Sequence, residues 1–208
     1  MKARQTGFTL IELMFTVILM AVLLGLGIPN FRDFIRNSRM TSQANDLLTG
    51  ITLARSEAIK RRAPVTLCSG ASPTCDSGDF TTGWFVFVDD NGNGARNDPE
   101  EILREHAAMP DPLTVTVKET GDAETEADPT YDDSSYSYFS FGQSGFRRMG
   151  DGTLPEATAL VICDARGNVA THGGPDVSAS RAVEVSATGR AVVTRSLTRI
   201  EDVLGGCP

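Results

Sequence analysis

Histidine is nearly missing from this chain: His106 and His172 are the only two in 208 residues. Imidazole general-base chemistry and multi-histidine metal centres are therefore poorly supplied. His106 falls in a predicted strand and His172 in a Gly-Pro-rich loop, and neither has a nucleophile beside it by motif. The sequence also lacks G-x-S-x-G, H-E-x-x-H, a P-loop and a dinucleotide fingerprint. "SFGQSGFRR" has the glycines of a phosphate cradle but not its lysine or spacing. The expectation is that the chain is not an enzyme. Basic residues are in deficit too, 19 against 27 acidic, for a formal charge of −8. That balance argues against a dedicated nucleic-acid binder, whose affinity comes largely from neutralising phosphates, although it leaves room for a local basic patch. No internal repeat is present.

Charge is scarcest near the N-terminus. From Phe8 to Ile28, 21 residues, the only ionisable side chain is Glu12. As a helix this run spans roughly 31 Å, about one bilayer core. Lys2 and Arg4 precede it, which favours a cytoplasmic N-terminus. A cleaved secretory signal would end in a small-residue A-x-A-like site, whereas this run ends in Gly-Ile-Pro-Asn. A plain membrane anchor explains the length but not Glu12, since a central acidic residue costs about 2.5–3.5 kcal/mol on insertion scales and an intramembrane carboxylate needs a partner.

The stretch "GFTLIEL" resembles the class III signal of type IV pilins and type II secretion pseudopilins. The resemblance implies that a prepilin peptidase cuts between Gly7 and Phe8 and that Phe8, the new N-terminus, is N-methylated. It implies that Glu12 pairs with the N-terminal amine of a neighbouring subunit during assembly, as befits a buried charge that meets an opposite one. Pro29 matches a family position linked to a helix kink or local melting inside the filament.

Past Pro29 the helix is expected to continue. Phe31, Phe34, Ile35, Ala44, Leu47, Leu48, Ile51, Ala54 and Ala58 recur at helical spacing, with polar residues between them. Pro64 ends the pattern. Beyond it "PVTLC", "GWFVFVD", "EILREH", "LTVTVKE", "YSYFSFG", "ALVIC" and "RAVEVSA" read as short strands bounded by turn formers. The fold class is α+β, one long helix on an antiparallel sheet. The stretch from Glu119 to Asp133 holds seven acidic and no basic residues, and is expected to be an exposed, mobile loop.

The head resembles the GspH/FimT-type branch of minor pilins in "LARSEAIKRRAPVTLC", "GWFVFVDDNGNG", "EEILRE", "FGQSGFRR", "VICDARG" and "RAVEVSATGRAVV", whose order covers most of residues 53–195. The implied organisation is a leader over 1–7, a transmembrane and polymerisation helix over 8–29, its amphipathic half over 30–63, and a periplasmic β-rich head over 64–208. Such a head faces an oxidising space in which disulfides persist. Of the three connectivities that four cysteines allow, sequence proximity and the family's habit of stapling its C-terminal region favour Cys68–Cys75 and Cys163–Cys207. The chain-entropy model gives these loops about 2.5 and about 4 kcal/mol. Zinc is the rival reading, but neither pair has C-x-x-C spacing.

No motif requires a cofactor. One loop, "DDNGNGARNDPE", fits D-x-[DN]-x-[DN]-G-x5-E from Asp89. Asp89, Asn91 and Asn93 would supply side-chain oxygens to Ca2+, Ala95 a carbonyl and Glu100 a bidentate carboxylate, with Gly94 at the turn. Strands rather than helices flank it, and consecutive Asn-Gly pairs also signal a hairpin, so an acidic β-turn without metal is the other reading. One arm of the family binds DNA through a C-terminal G-R-x-R. Here Gly189 and Arg190 match, Val192 replaces the second arginine, and Arg195 comes later. Strand alternation puts Arg190 and Arg195 on opposite faces.

The family resemblance implies a structural subunit and no reaction chemistry: a type IV pilus minor pilin that primes filament assembly at the tip. Its implied partners are prepilin peptidase, sibling minor pilins, the major pilin and the inner membrane, with a single pass and a periplasmic head before polymerisation. A GspH-type pseudopilin of type II secretion and a FimT-type DNA-binding subunit for transformation are the alternatives.

Overall fold

The computed structural model describes residues 7–71, 75, 79–119, 138–148, 158–171 and 174–207. Among these residues one α-helix, α1 (Leu10–Arg61), is followed by nine strands. The chain divides into two compact units, Met1–Arg39 and Met40–Pro208.

In the first unit α1 carries an apolar surface all round, and Pro29 falls inside the helix. Phe31 and Phe34 stack on each other with ring centroids 6.4 Å apart, and both stay exposed. The stripe read from the sequence is thus buried only from Ala44 onward, joined by Met40, which that stripe did not include.

In the second unit Met40, Ala44, Leu47, Ile51, Ala54 and Ala58 are fully buried. Their alternating three- and four-residue steps form one helix face, and Leu48 packs at its border. This face meets the core side of two antiparallel sheets. The first holds β1 (Val65–Ser69), β2 (Trp84–Val88), β3 (Ile102–His106), β5 (Tyr138–Phe141) and β6 (Arg147–Arg148) in the order β3-β2-β1-β5-β6. The second holds β4 (Thr114–Glu119), β7 (Thr158–Cys163), β8 (Val177–Val185) and β9 (Ala191–Ser196) in the order β4-β7-β8-β9. Leu67, Trp84, Val86, Phe139, Leu160, Ile162 and Val183 join the helix face in one core.

A helix interior disfavours glycine by about 1 kcal/mol, yet Gly50 sits in the middle of α1. A Cβ there would lie 2.6 Å from the Trp84 indole and 2.9 Å from Leu67 Cδ1. The missing side chain is what lets the buried indole reach the helix backbone. Gly50→Ala is therefore expected to destabilise, because overpacking of about 1–3 kcal/mol outweighs the propensity gain. A lowered urea midpoint with an unchanged m-value would show it, and an unchanged or raised midpoint would refute the close-packing account.

The outer face of the second sheet has its own cover. The C-terminal segment, with a π-helical turn at Arg199–Val203, lays Ile200 and Leu204 over Ala159, Val161 and Ala182. The exposed Asp176 carboxylate accepts from the Thr198 backbone N–H and hydroxyl and from Ser196 Oγ, and these bonds hold it below the usual carboxylate range.

Three expectations lie outside the described residues: the leader apart from Gly7, the acidic loop apart from Glu119 at the end of β4, and His172.

Candidate functional site

Gly7, Phe8 and Thr9 precede α1 in irregular backbone. The Glu12 backbone N–H donates to Thr9 Oγ1 at 3.3 Å, and the Leu13 N–H to the Thr9 carbonyl at 3.2 Å. Thr9 is thus the N-cap and Glu12 the third helical residue, the T-x-x-E spacing that starts a helix. A carboxylate in the first turn also meets the positive end of the helix dipole. These two local roles of "TLIE" went unread in the sequence. The helix has a mean hydropathy of 2.5 over its best 18-residue window, long and apolar enough to cross a membrane by length and composition. Phe8 is 83% exposed, and Leu10, Ile11, Leu13, Phe15 and Leu23 are exposed likewise. A helix apolar on every side is at rest only in lipid or among other helices.

The cysteines form Cys68–Cys75 and Cys163–Cys207 disulfides, and no described cysteine is free. The first pair ties the residue at 75 to β1, and the second ties the C-terminal tail to the end of β7.

The 89–100 loop joins β2 to β3. Asp89 is fully buried. Its Oδ1 accepts from the Asn93 N–H at 3.0 Å, and its Oδ2 from the Gly94 N–H at 2.9 Å and from Thr66 Oγ1 at 3.0 Å. Asn91 Oδ1 accepts from the Asn93 N–H and Asn93 Oδ1 from the Ala95 N–H, both at 2.9 Å. Glu100 Oε2 accepts from the Asn97 N–H at 2.6 Å. Among the described residues no group of three or more His, Cys, Asp or Glu side chains is placed to hold a metal.

Arg190 and Arg195 are both exposed but stand far apart. Arg190 lies in the β8–β9 turn, and five residues of strand, roughly 17 Å, separate it from Arg195. A Cβ at Gly189 would collide with the Gly145 carbonyl oxygen, which accepts from Arg55 Nε on α1 at 3.0 Å, so the glycine of the G-R pair is what lets the β8–β9 turn approach the β5–β6 turn. β9 itself is continuous over Ala191–Ser196, and the irregularity near Arg195 lies in its partner strand. Val177 pairs with Ser196 and Ala182 with Thr194, which leaves a bulge in β8. Arg181 fills it, 1% exposed, with Nη1 donating to the Ser178, Ala179 and Ser180 carbonyls at 2.8–3.0 Å. Burial first, and then the positive charges of Arg195 and Arg166, push Arg181 down to about 10. Arg147, also buried and pushed down to about 10 by desolvation, reaches from β6 to Thr158 Oγ1 on β7 and the Val185 carbonyl on β8, tying the two sheets together. A 420 Å3 cleft beside it is rimmed by Arg62, Phe146 and Arg148. No sequence signal separated these two structural arginines from surface ones.

Comparison with known proteins gives two family matches. The model described as "Type II transport protein GspH" covers residues 43–189, and "Prokaryotic N-terminal methylation motif" covers residues 2–28. The type IV major alpha-pilin of Moraxella bovis is 33% identical over 61 residues, 29% of this chain and 38% of that protein. The chain spans less than half the length of the curated relatives it matches. The type IV minor pilin FimU of Pseudomonas aeruginosa superposes with a TM-score of 0.51 at 19% identity, over 79% of this chain and 98% of that one, a likeness of fold. The minor pseudopilin EpsH of Vibrio cholerae gives 0.47 at 13% identity, over 77% and 96%.

Proposed function

We infer the role of this chain from the family to which it belongs, that of the type II transport protein GspH. It is a minor pilin or pseudopilin, a structural subunit of a type IV pilus or a type II secretion system. Within that pair, the chain is best read as a minor pilin that helps prime a type IV pilus at its tip. The observation that carries it is the N-terminal segment: a methylation motif over residues 2–28, whose one carboxylate, Glu12, opens a helix apolar on all sides. Its likeness to a type IV major pilin favours the pilus.

On this reading prepilin peptidase cuts at Gly7–Phe8 and Phe8 is N-methylated. The uncut chain sits in the inner membrane by one pass, with its head in the periplasm. Glu12 then meets the Phe8 amine of the neighbouring subunit, and Pro29, which cannot donate a backbone hydrogen bond, lets the helix yield when it is packed among others. The head docks on sibling minor pilins.

The family description favours a second reading, a secretion pseudopilin. A strain lacking the gene separates the two. Few or no surface pili, with secretion intact, supports pilus priming. Normal pili with exoproteins trapped in the cell would move the chain to the secretion system, and normal pili with lost transformation would move it to DNA uptake.

A further inference from the structure

We propose that the Asp89–Glu100 loop is a Ca2+ site. The loop places an oxygen donor at the positions such a site uses: Asp89, Asn91, Asn93, the Ala95 carbonyl and Glu100, with Asn97 at the position that such loops often fill through a water. Spacing alone also describes a hairpin. The structure adds what a plain turn does not need.

The first addition is the fold of the loop. The Val88 N–H donates to the Glu101 carbonyl at 2.9 Å, which closes the hairpin and brings Asp89 and Glu100 to its mouth from opposite strands. Asp89 turns the backbone inward through the Asn93 and Gly94 N–H groups. Gly94, at φ +75, makes the sharp bend, and a Cβ there would lie 2.6 Å from the Tyr138 ring. Cys75 Sγ, disulfide-bonded to Cys68, lies 3.7 Å from the Gly94 carbonyl and braces the loop from outside.

The second addition is an orphan. Glu100 is only 5% exposed, and its Oε2 takes the Asn97 N–H, so the carboxylate is aimed into the loop. Its Oε1 is buried without a hydrogen-bond partner among the described residues. A buried carboxylate oxygen left unsatisfied is costly, and native proteins rarely tolerate one without an ion or water beside it. A cation held by both Glu100 oxygens removes the cost.

The donors select the ion. All are oxygens, without imidazole or thiolate, which fits a hard cation and not Zn2+. Asp89 Oδ1 accepts from the Asn93 N–H, and the Oδ1 atoms of Asn91 and Asn93 from one backbone N–H each, so every one keeps a lone pair for the metal. Both asparagine Nδ2 groups donate to Asn97 Oδ1, at 2.7 and 3.0 Å, which gathers the three carboxamides together. Six or seven flexible oxygen ligands suit Ca2+ better than the strict octahedron of Mg2+. Two carboxylates balance the divalent charge. Arg148, whose Nη2 donates to the Gly92 carbonyl at 3.3 Å, opposes it and keeps the affinity low. The expected Kd is about 10⁻⁴–10⁻³ M, the range of extracellular Ca2+ modules. The site stands whether the filament is a pilus or a pseudopilus.

The test uses the full-length chain in detergent micelles. Titration with CaCl2 should give one saturable site and raise the melting temperature. Glu100→Gln retains an oxygen for the Asn97 N–H and should melt normally without Ca2+, yet bind at least about tenfold more weakly. Asn93→Ala should weaken binding as well. Tb3+ in the loop should luminesce through Tyr138, lose emission on adding Ca2+ but not equal Mg2+, and lose most of it in Tyr138→Phe. No saturable heat up to about 10 mM Ca2+, far above the expected Kd, overturns the proposal. Wild-type affinity in Glu100→Gln overturns it equally, because the ion would then be bound elsewhere.

Discussion

Cys207→Ser is expected to cost the folded head about 4 kcal/mol and to lower its melting temperature by roughly 10 °C. The Cys163–Cys207 bond closes a loop of 44 residues, and the entropy it removes from the unfolded chain grows with the logarithm of that length. The segment it pins is also the lid of a small core, since Ile200 and Leu204 are buried over Ala159, Val161 and Ala182. The other tethers of this segment are weak. Asp176 with Thr198 is exposed, and Arg199 with Glu184 is an ion pair near the surface, a class that contributes about 0–1 kcal/mol. The Cys207 N–H to Asn168 Oδ1 bond, 3.0 Å, depends on the tail staying in place. Cys75→Ser opens a loop of only seven residues and should cost about 2.5 kcal/mol. Urea unfolding of the oxidised full-length protein and both variants checks the order. If Cys75→Ser proves the more damaging of the two, the pinning account of the tail is wrong.

The same segments show where a sequence reading succeeds. The buried face of α1 from Ala44 to Ala58 was legible because helical packing repeats locally, with each apolar residue three or four steps from the last, whereas Met40, buried on the same face, was not read as part of it. Short β-branched runs marked β1, β2, β4 and β7 for the same reason. Division into two sheets was not legible, because strand order depends on pairings between distant residues, such as β1 with β5. β8 begins at Val177, four residues before the start read from "RAVEVSA". The reason is Arg181: a charged residue looks like a strand boundary, but here it is folded back onto its own backbone carbonyls inside a bulge. β6 is two residues long, too short for any period to show, and both its members are arginines. At the candidate sites the residue types and spacings of Gly7, Phe8, Glu12 and the 89–100 loop were visible. What was hidden was burial. The unsatisfied Glu100 oxygen, and the burial of Arg181 in the β8 bulge, exist only once the strands are paired.

Glu12→Ala should leave leader removal intact and reduce entry into filaments at least tenfold. The expectation rests on what surrounds the carboxylate. Glu12 is the only ionisable side chain between Phe8 and Ile28, and apart from Thr9 and Thr16 the residues around it on the helix are apolar and exposed. In a bundle of such helices an ionised carboxylate is costly unless a positive group reaches it, and removing one member of a buried pair costs about 3–5 kcal/mol. A new N-terminal amine at Phe8 of an adjacent subunit would be that group. The variant still starts its helix, because the Thr9 Oγ1 bond is made by the Glu12 backbone N–H and not by its side chain. A folding defect is therefore not the expected cause of failure. Glu12→Gln sharpens the test: it keeps size and hydrogen-bonding capacity but not charge, and should fail nearly as badly as alanine if pairing with the amine is what counts. Sheared filaments and membranes, compared by immunoblot with the mass of the mature N-terminus, report both steps. Wild-type incorporation of either variant would remove the charge pair from the assembly mechanism, and loss of cleavage would place Glu12 at the peptidase instead of in the filament.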